Sequence, residues 1–593
     1  MTRSRRWATK AVAAISAAFL LASCSGGTSN NSSDGASGTG GDITIAQVTP
    51  TWIFPISAPG KTQGENGMMI SMLYRSMFEY DLSAPADKFN ISEASLAEIP
   101  TVSEDGKTFT IKMKDATWND GKEITTRDVE FWWNLLTNNK ESWSGYREGG
   151  FPDNVESMKF VDDKTIELTT KEVFNPGWYI DNQLSSMRPL PAHAWSKTEA
   201  GEVADGDRDP ATAKEIFAYL TKASEDLQSY ATNDLWKTVS GAYTLDKFVP
   251  SGEVRFEPVK NWSGGEVKNS GIVFRPFTSD DAQFNVLRSG GIDFGYIPAG
   301  SISQKEAIEK LGYTVEPWYG WSISYVPFNF ANPKTGPIFK QKYVRQAMQM
   351  LIDQESISKV IWAGMAAPTC GPVPQAPGEG GSSEGCAYKF DPEAAKKLLA
   401  DNGWKVNPGG VSVCENAGSG AGQCGEGVPA GAELSFKFIS QSGFPATTKM
   451  TTEMNSRFSE AGIKLEIQEV PDSVAVSQKC VEGEACDWDL SWFGSQSSWY
   501  YPVYASGERL YATDAPVNLG QYSNTEADKL IDATKTSLDT SAMIAYNDYL
   551  AEDLPVLWMP NPVNRIAAFK SNIEGISPLS PMINIYPHLW ERK

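Results

Sequence analysis

Thr108-Phe109-Thr110-Ile111-Lys112-Met113-Lys114, followed shortly by Trp118-Asn119-Asp120-Gly121-Lys122-Glu123-Ile124-Thr125-Thr126-Arg127-Asp128-Val129, decides how this chain is read. In the first stretch apolar and polar side chains alternate, which is the period of a half-buried strand. In the second, Asp120-Gly121 is turn chemistry, and Thr125 to Asp128 has capping-box spacing ahead of Val129-Glu130-Phe131-Trp132-Trp133-Asn134-Leu135-Leu136. A helix starting near Thr126 is therefore predicted. Another strand follows at Ile166 to Thr169, behind the turn Asp162-Asp163-Lys164.

The same alternation of elements continues outward. Ile43 to Val48 reads as the first strand, and Val344 to Ile352 as a helix with Val344, Ala347, Met348 and Leu351 on one face. Asp391 caps a further helix with Pro392 at its first position; it buries Ala395, Leu398 and Leu399 and stops near Gly403. Strands interleaved with helices imply an α/β fold with mixed sheets. No repeat of solenoid or propeller length recurs.

The chain starts with Arg3, Arg5, Arg6 and Lys10, then an apolar run from Ala11 to Leu21, the pattern of an export signal too short to span a membrane. It ends in Leu21-Ala22-Ser23-Cys24, which resembles a bacterial lipobox; that resemblance implies cleavage before Cys24 and lipid on its thiol. Residues 1–23 are thus expected to be a lipoprotein signal peptide. Residues 24–41, rich in Ser and Gly, read as a tether that cannot bury enough apolar surface to order itself. The expected location is the cell membrane, lipid-anchored and facing the extracytoplasmic side. With 52 basic against 73 acidic side chains and a formal net charge of −21, nucleic acid is a poor partner.

Cys24 apart, the cysteines are Cys370, Cys386, Cys414, Cys424, Cys480 and Cys486. In an exported chain these read as disulfides, and neighbour pairing (Cys370 with Cys386, Cys414 with Cys424, Cys480 with Cys486) closes short loops in Gly-rich insertions. No Cys-x-x-Cys spacing occurs and His193 and His588 are the only histidines, so no metal is expected. The same scarcity of histidine, with no Gly-x-Ser-x-Gly, Walker or His-Glu-x-x-His motif, argues against an enzyme and for no cofactor. Asp205, Asp207 and Asp209 resemble half a calcium loop, but Pro210 stands where that loop needs Gly and Ile216 where it needs Glu.

Beyond the opening stretch, Leu73-Tyr74-Arg75-Ser76-Met77-Phe78-Glu79-Tyr80-Asp81, Gly241-Ala242-Tyr243, Asn261-Trp262, Arg288-Ser289-Gly290-Gly291-Ile292-Asp293, Phe328-Asn329, Val344-Arg345-Gln346-Ala347 and Asp391-Pro392-Glu393-Ala394-Ala395 occur in order. In these motifs the chain resembles the family 5 extracellular solute-binding proteins of ABC importers, the oligopeptide, dipeptide and nickel binders. The resemblance implies a two-lobed periplasmic-binding-protein-like fold of type II with an extra domain. It places lobe I at 42–80, 228–317 and 553–593, the extra domain at 81–227, and lobe II with its disulfide-pinned insertions at 318–552. It also implies the partners: a small ligand enclosed between the lobes, and the permease and ATPase subunits of the importer.

Within that family a strand and Gly-containing loop line the peptide, and an Asp of the loop meets its amino end. The matching stretch runs from Asp489 through Gly494, Gln496, Ser498, Trp499 and Tyr500 to Pro502, and Ser498 stands at the Asp position. The loop and the facing Trp318, Tyr319 and Trp321 offer aromatic and amide groups that suit peptide side chains and sugar rings alike. Trp52, after the first strand, completes the expected pocket, with Trp143 and Tyr146 nearby in weaker roles. Peptide import is the leading expectation; oligosaccharide import, and a surface adhesin or sensor, stay open.

Overall fold

The capping box of the opening stretch forms as its spacing dictates, in a computed structural model that describes residues 41–79, 91–92, 94–374, 383–471, 487–492, 498–500, 504–515, 517–577 and 585–593. The signal, the tether with Cys24, Cys480 and Cys486 lie outside the described residues. Helix Thr126–Asn138 starts one residue after its cap, Thr125, whose hydroxyl accepts from the Arg127 amide at 3.2 Å while Asp128 accepts from the Thr125 amide at 3.1 Å. Asp128 also accepts from the Ala192 amide at 3.2 Å and the Trp118 indole at 3.4 Å, which compensates its burial. Strand Thr108–Lys112 pairs antiparallel with Thr165–Thr170, placing Phe109 opposite Leu168 and Ile111 opposite Ile166, all four buried.

These strands belong to a four-stranded sheet ordered Thr101–Val102, Thr108–Lys112, Thr165–Thr170, Val155–Asp162. A seven-stranded mixed sheet runs Tyr313–Trp318, Arg565–Lys570, Phe294–Tyr296, Ile43–Ala46, Ile272–Arg275, Val254–Pro258, Tyr243–Phe248. Its centre is parallel: Ile43–Ala46 pairs in parallel with strands on both sides. One continuous apolar core joins the two sheets. The first strand stops at Ala46, short of the expected Val48, which is exposed.

A second core extends from Trp321 to Met559, around the parallel sheet Lys464–Val470, Ser435–Gln441, Leu490–Trp492. Helix Lys342–Met350 buries Val344, Ala347 and Met348 here, and Pro392–Asp401 buries Ala395 and Leu399, with Asp391 accepting from the Ala394 amide at 2.9 Å. Cys370 is paired with Cys386 and Cys414 with Cys424, at Cα separations of 4.8 and 6.1 Å.

Two adjacent chain segments cross between the cores. Tyr313–Trp318 pairs with Arg565–Lys570 in the seven-stranded sheet, and its continuation Ser322–Pro327 pairs with Val556–Met559 in the second core. The strand pairing also shows which core each crossing segment joins. Val556–Met559 lies in the second core, with its ladder partner Ser322–Pro327, and Trp318, fully buried, lies in the first.

The remaining motif residues do folding work. Gly241 has no room for a side chain, since a Cβ would lie 2.1 Å from the Met72 carbonyl oxygen. Arg75 donates to the Ala94 carbonyl at 2.9 and 2.7 Å, and Asn329 donates to the Trp488 carbonyl at 2.9 Å. Asp207 accepts from Arg127 at 3.0 Å and Asn134 at 2.8 Å, and Asp209 caps helix Pro210–Glu225 through the Thr212 amide at 2.9 Å.

His588 stands edge-on to Trp262 at 5.0 Å, and burial, aided by the Arg75 charge, lowers its pKa from 6.5 to about 4. The folded state thus binds a proton here less readily than the unfolded chain. Its contribution is fully present above pH 6.5 and is lost as pH falls toward about 4. Its full size is about 3 kcal/mol. Urea unfolding of wild type and His588→Phe across this window should show a steeper acid loss in wild type; equal slopes would refute it.

Candidate functional site

Away from the crossing strands, the two cores meet again along a seam. On one side Asn175 caps the short helix Pro176–Asn182, its side chain accepting from the Trp178 amide at 3.0 Å with Pro at the first helical position. Trp178 and Asn182, four residues apart, share a face. From that face the Trp178 indole donates to Ser506 Oγ at 3.1 Å and to Glu508 Oε1 at 3.2 Å. The Asn182 amide donates to Glu508 Oε1 at 3.0 Å and to the Tyr504 carbonyl at 3.3 Å.

The seam continues on both flanks. Arg147 donates to the carbonyls of Glu508 and Thr513 at 3.3 and 3.2 Å, and Arg509 donates in return to the Ser144 carbonyl at 3.4 Å. The Asn175 amide and side chain donate to the Lys535 and Ser537 carbonyls at 2.7 and 2.6 Å. The contacts are hydrogen bonds and partly exposed ion–dipole pairs, a junction that separates at modest cost compared with a core.

At the crossing, Asn561 ties the strands together. Its Nδ2 donates to the Ser322 carbonyl at 2.9 Å, and its Oδ1 accepts from Ser324 Oγ at 2.9 Å. Only residues 319–323 and 560–564 separate the ladder of one core from that of the other. A narrow two-strand crossing opposite a polar seam is the geometry of a hinge.

The residues expected to line the pocket divide. Trp499 lies half-buried on strand Ser498–Tyr500, which pairs with Ser322–Ser324 beside the crossing, and the Arg509 guanidinium sits 5.3 Å from its ring. Trp321 is buried at the edge of the second core, and Tyr319 is half-buried at the crossing itself. The backbone ladder thus brings Trp321, Trp499, and the backbones of Ser498 and Tyr500 to one place. Gly494 and Gln496 lie outside the described residues, as do the side chains of Ser498 and Tyr500. Trp52 is buried in the first core, its indole donating to the Phe54 carbonyl at 2.6 Å and the Lys61 ammonium 5.9 Å from its ring. Trp143 packs edge-on to Phe151 at 6.2 Å, and Tyr146 donates to Asp153 at 2.8 Å, both close to the seam through Ser144 and Arg147.

Sequence reasoning missed Trp178, Asn182, Ser506 and Glu508. Asn175-Pro176 was a legible helix start, but nothing local shows which face of so short a helix meets a segment 328 residues away. Asp489, at the head of the loop match, is structural: it accepts from the Lys437 amide at 2.7 Å and Asn332 at 2.9 Å, and burial raises its pKa.

Comparison with known proteins places this geometry. Residues 93–516 match the family model described as bacterial extracellular solute-binding proteins, family 5 Middle. The oligopeptide-binding protein AppA of Bacillus subtilis is 23% identical over 94% of this chain and 93% of its own length. The structure of that protein in complex with a nonapeptide superposes with a TM-score of 0.70 at 20% identity, covering 93% of this chain and 99% of the other. NikZ of Campylobacter jejuni in complex with Ni(L-His) superposes with a TM-score of 0.68 at 17% identity, covering 93% of this chain and 99% of that one. One architecture thus carries unlike ligands, and likeness at this identity speaks for the fold alone. With more than half its length matched by the family model, the chain belongs to the bacterial extracellular solute-binding proteins of family 5.

Proposed function

We propose that this protein captures peptides between its two lobes outside the cell and delivers them to the permease of an ABC importer. The observation that carries the reading is the pairing of a two-strand crossing with a polar seam, both made by backbone and side chains of two separate cores. A ligand that touches both lobes lowers the energy of the closed arrangement and not of the open one, so binding shifts the population toward closure. The permease then reads the closed form. The reading involves hand-over with no chemical step and no cofactor.

Peptide is favoured as ligand because the full-length relative is an oligopeptide-binding protein. Strand Ser498–Tyr500, in the stretch that matches the peptide-lining strand and loop of the family, lies beside the crossing through its pairing with Ser322–Ser324. Oligosaccharide is the second reading, favoured by the half-buried Trp499 beside the crossing. Residues 1–23 would direct export, lipid on Cys24 would hold the protein at the outer face of the cell membrane, and residues 24–41 would give it reach. The lobes proposed on the described residues follow the two cores, with the four-stranded sheet as an extra domain of the first lobe.

Native mass spectrometry of the protein lacking residues 1–24, purified undenatured from rich medium, tests this. A family of adduct masses that fragment into amino acids is the expected result. Masses spaced by sugar units would overturn peptide and turn attention to Trp499, and a protein that neither carries nor takes up any small ligand would overturn transport.

A further inference from the structure

Seven acidic side chains are buried among the described residues, and six have partners that account for them. Glu79 accepts from the Ser76 amide, Asp128 from its capping box, Asp207 from Arg127, Asp293 from the Thr44 amide, Asp489 from the Lys437 amide, and Asp553 from Tyr522. Asp181 is the seventh. It is 2% exposed, its Oδ1 has no hydrogen-bond partner, and no basic side chain stands beside it. The neighbouring Asn182 Oδ1 is likewise buried without a donor.

Buried polar oxygens are as a rule hydrogen-bonded, so these two adjacent acceptors without donors leave a place for a donor from outside the empty fold. The position of Asp181 says from where. It follows Gly177 by four residues and Trp178 by three, so it shares their side of the helix. That side faces the second lobe: Trp178 and Asn182 donate across the seam, and a Cβ on Gly177 would lie 3.9 Å from Tyr504 Cδ2. The Tyr504 phenol, on the opposite side, is itself raised by burial, by Glu508 and by Asp181. Glu508, the other acid here, is already occupied by Trp178 and Asn182.

We propose that Asp181, with the Asn182 side-chain oxygen beside it, is the acceptor for a cationic group of the ligand, an amino-terminal ammonium or a lysine ammonium of a bound peptide. The proposal rests on the peptide reading and adds what that reading leaves open: a preference for positive charge at one fixed point. Burial raises the Asp181 pKa to about 8, so the acid waits neutral and releases its proton when the ligand brings the compensating charge.

Isothermal titration of the chain from residue 25 onward, wild type and Asp181→Asn, with three alanine-based pentapeptides decides it. One has a free amino end, one is acetylated there, and one is acetylated and carries a lysine. The expected result is that wild type prefers a charged peptide by ~10-fold or more over the acetylated neutral one, and that Asp181→Asn binds all three with nearly equal affinity. Preference for the free amino end alone assigns the terminal ammonium; preference for the lysine peptide assigns the side chain. If wild type binds the three equally, or the variant keeps the full preference, the proposal fails while peptide binding stands. If wild type binds none of them and purified protein carries no peptide, both readings fall. Because Asn replaces an acid already neutral in the empty protein, the variant's urea midpoint should be no lower than wild type.

Discussion

Arg345→Met lowers the unfolding free energy by about 3–5 kcal/mol, the cost of removing one partner from a buried charge network. Arg345 is 4% exposed and donates to the Asp553 carbonyl at 2.7 and 3.2 Å and to the Phe339 carbonyl at 2.6 Å, with Asp553 Oδ1 at 3.4 Å. Its guanidinium also lies 5.6 Å from the Phe330 ring. Asp553 ends helix Ser541–Asp553, just before Leu554 turns through a positive φ of 56° into Val556–Met559, the strand that leads to the crossing. Methionine fills the space but leaves the Asp553 and Phe339 carbonyls without the guanidinium and takes the cation from beside the Asp553 carboxylate, which keeps only its Tyr522 and Asn524 donors; Lys restores charge without the fork of donors. Urea unfolding measures it: a Met variant within about 1 kcal/mol of wild type would show that these groups find other partners.

Glu508→Ala acts on function instead. On the proposed reading, the bonds its carboxylate accepts from the Trp178 indole and the Asn182 amide belong to the closed arrangement, so their loss penalises closure. Hydrogen bonds to a charged acceptor contribute about 1.5–3 kcal/mol, and ligand affinity should fall by ~10–100-fold, carried by faster release. Because Glu508 is half-buried at a seam and outside both cores, the urea midpoint should move little. Stopped-flow release of a bound peptide tests this; an unchanged off-rate would mean that the ligand, and not the seam, holds the lobes together.

These two residues were unequally legible. Arg345 sits in Val344-Arg345-Gln346-Ala347, a motif whose spacing already predicted a helix with one apolar face, though the sequence did not name Asp553 as its partner. Glu508 carries no local pattern. Trp52 marks a limit of the sequence, because an aromatic after a strand looks the same whether its ring faces a cleft or packs into a core. Only the hydrogen bond to Phe54 and its burial separate the two.

The sequence by itself determined the helix at Thr126, the caps at Asp391 and Asp209, the mixed α/β class and the family. Each rests on groups a few residues apart, where period and capping geometry are fixed by the backbone. Tertiary structure alone decided that Val556–Met559 joins the second core, that Trp178 meets Glu508, and that Asp181 is buried with its Oδ1 unpartnered. Those outcomes depend on which distant surfaces are brought together, as the 330 residues separating Trp178 from Glu508 show, and short-range patterning carries no record of that choice.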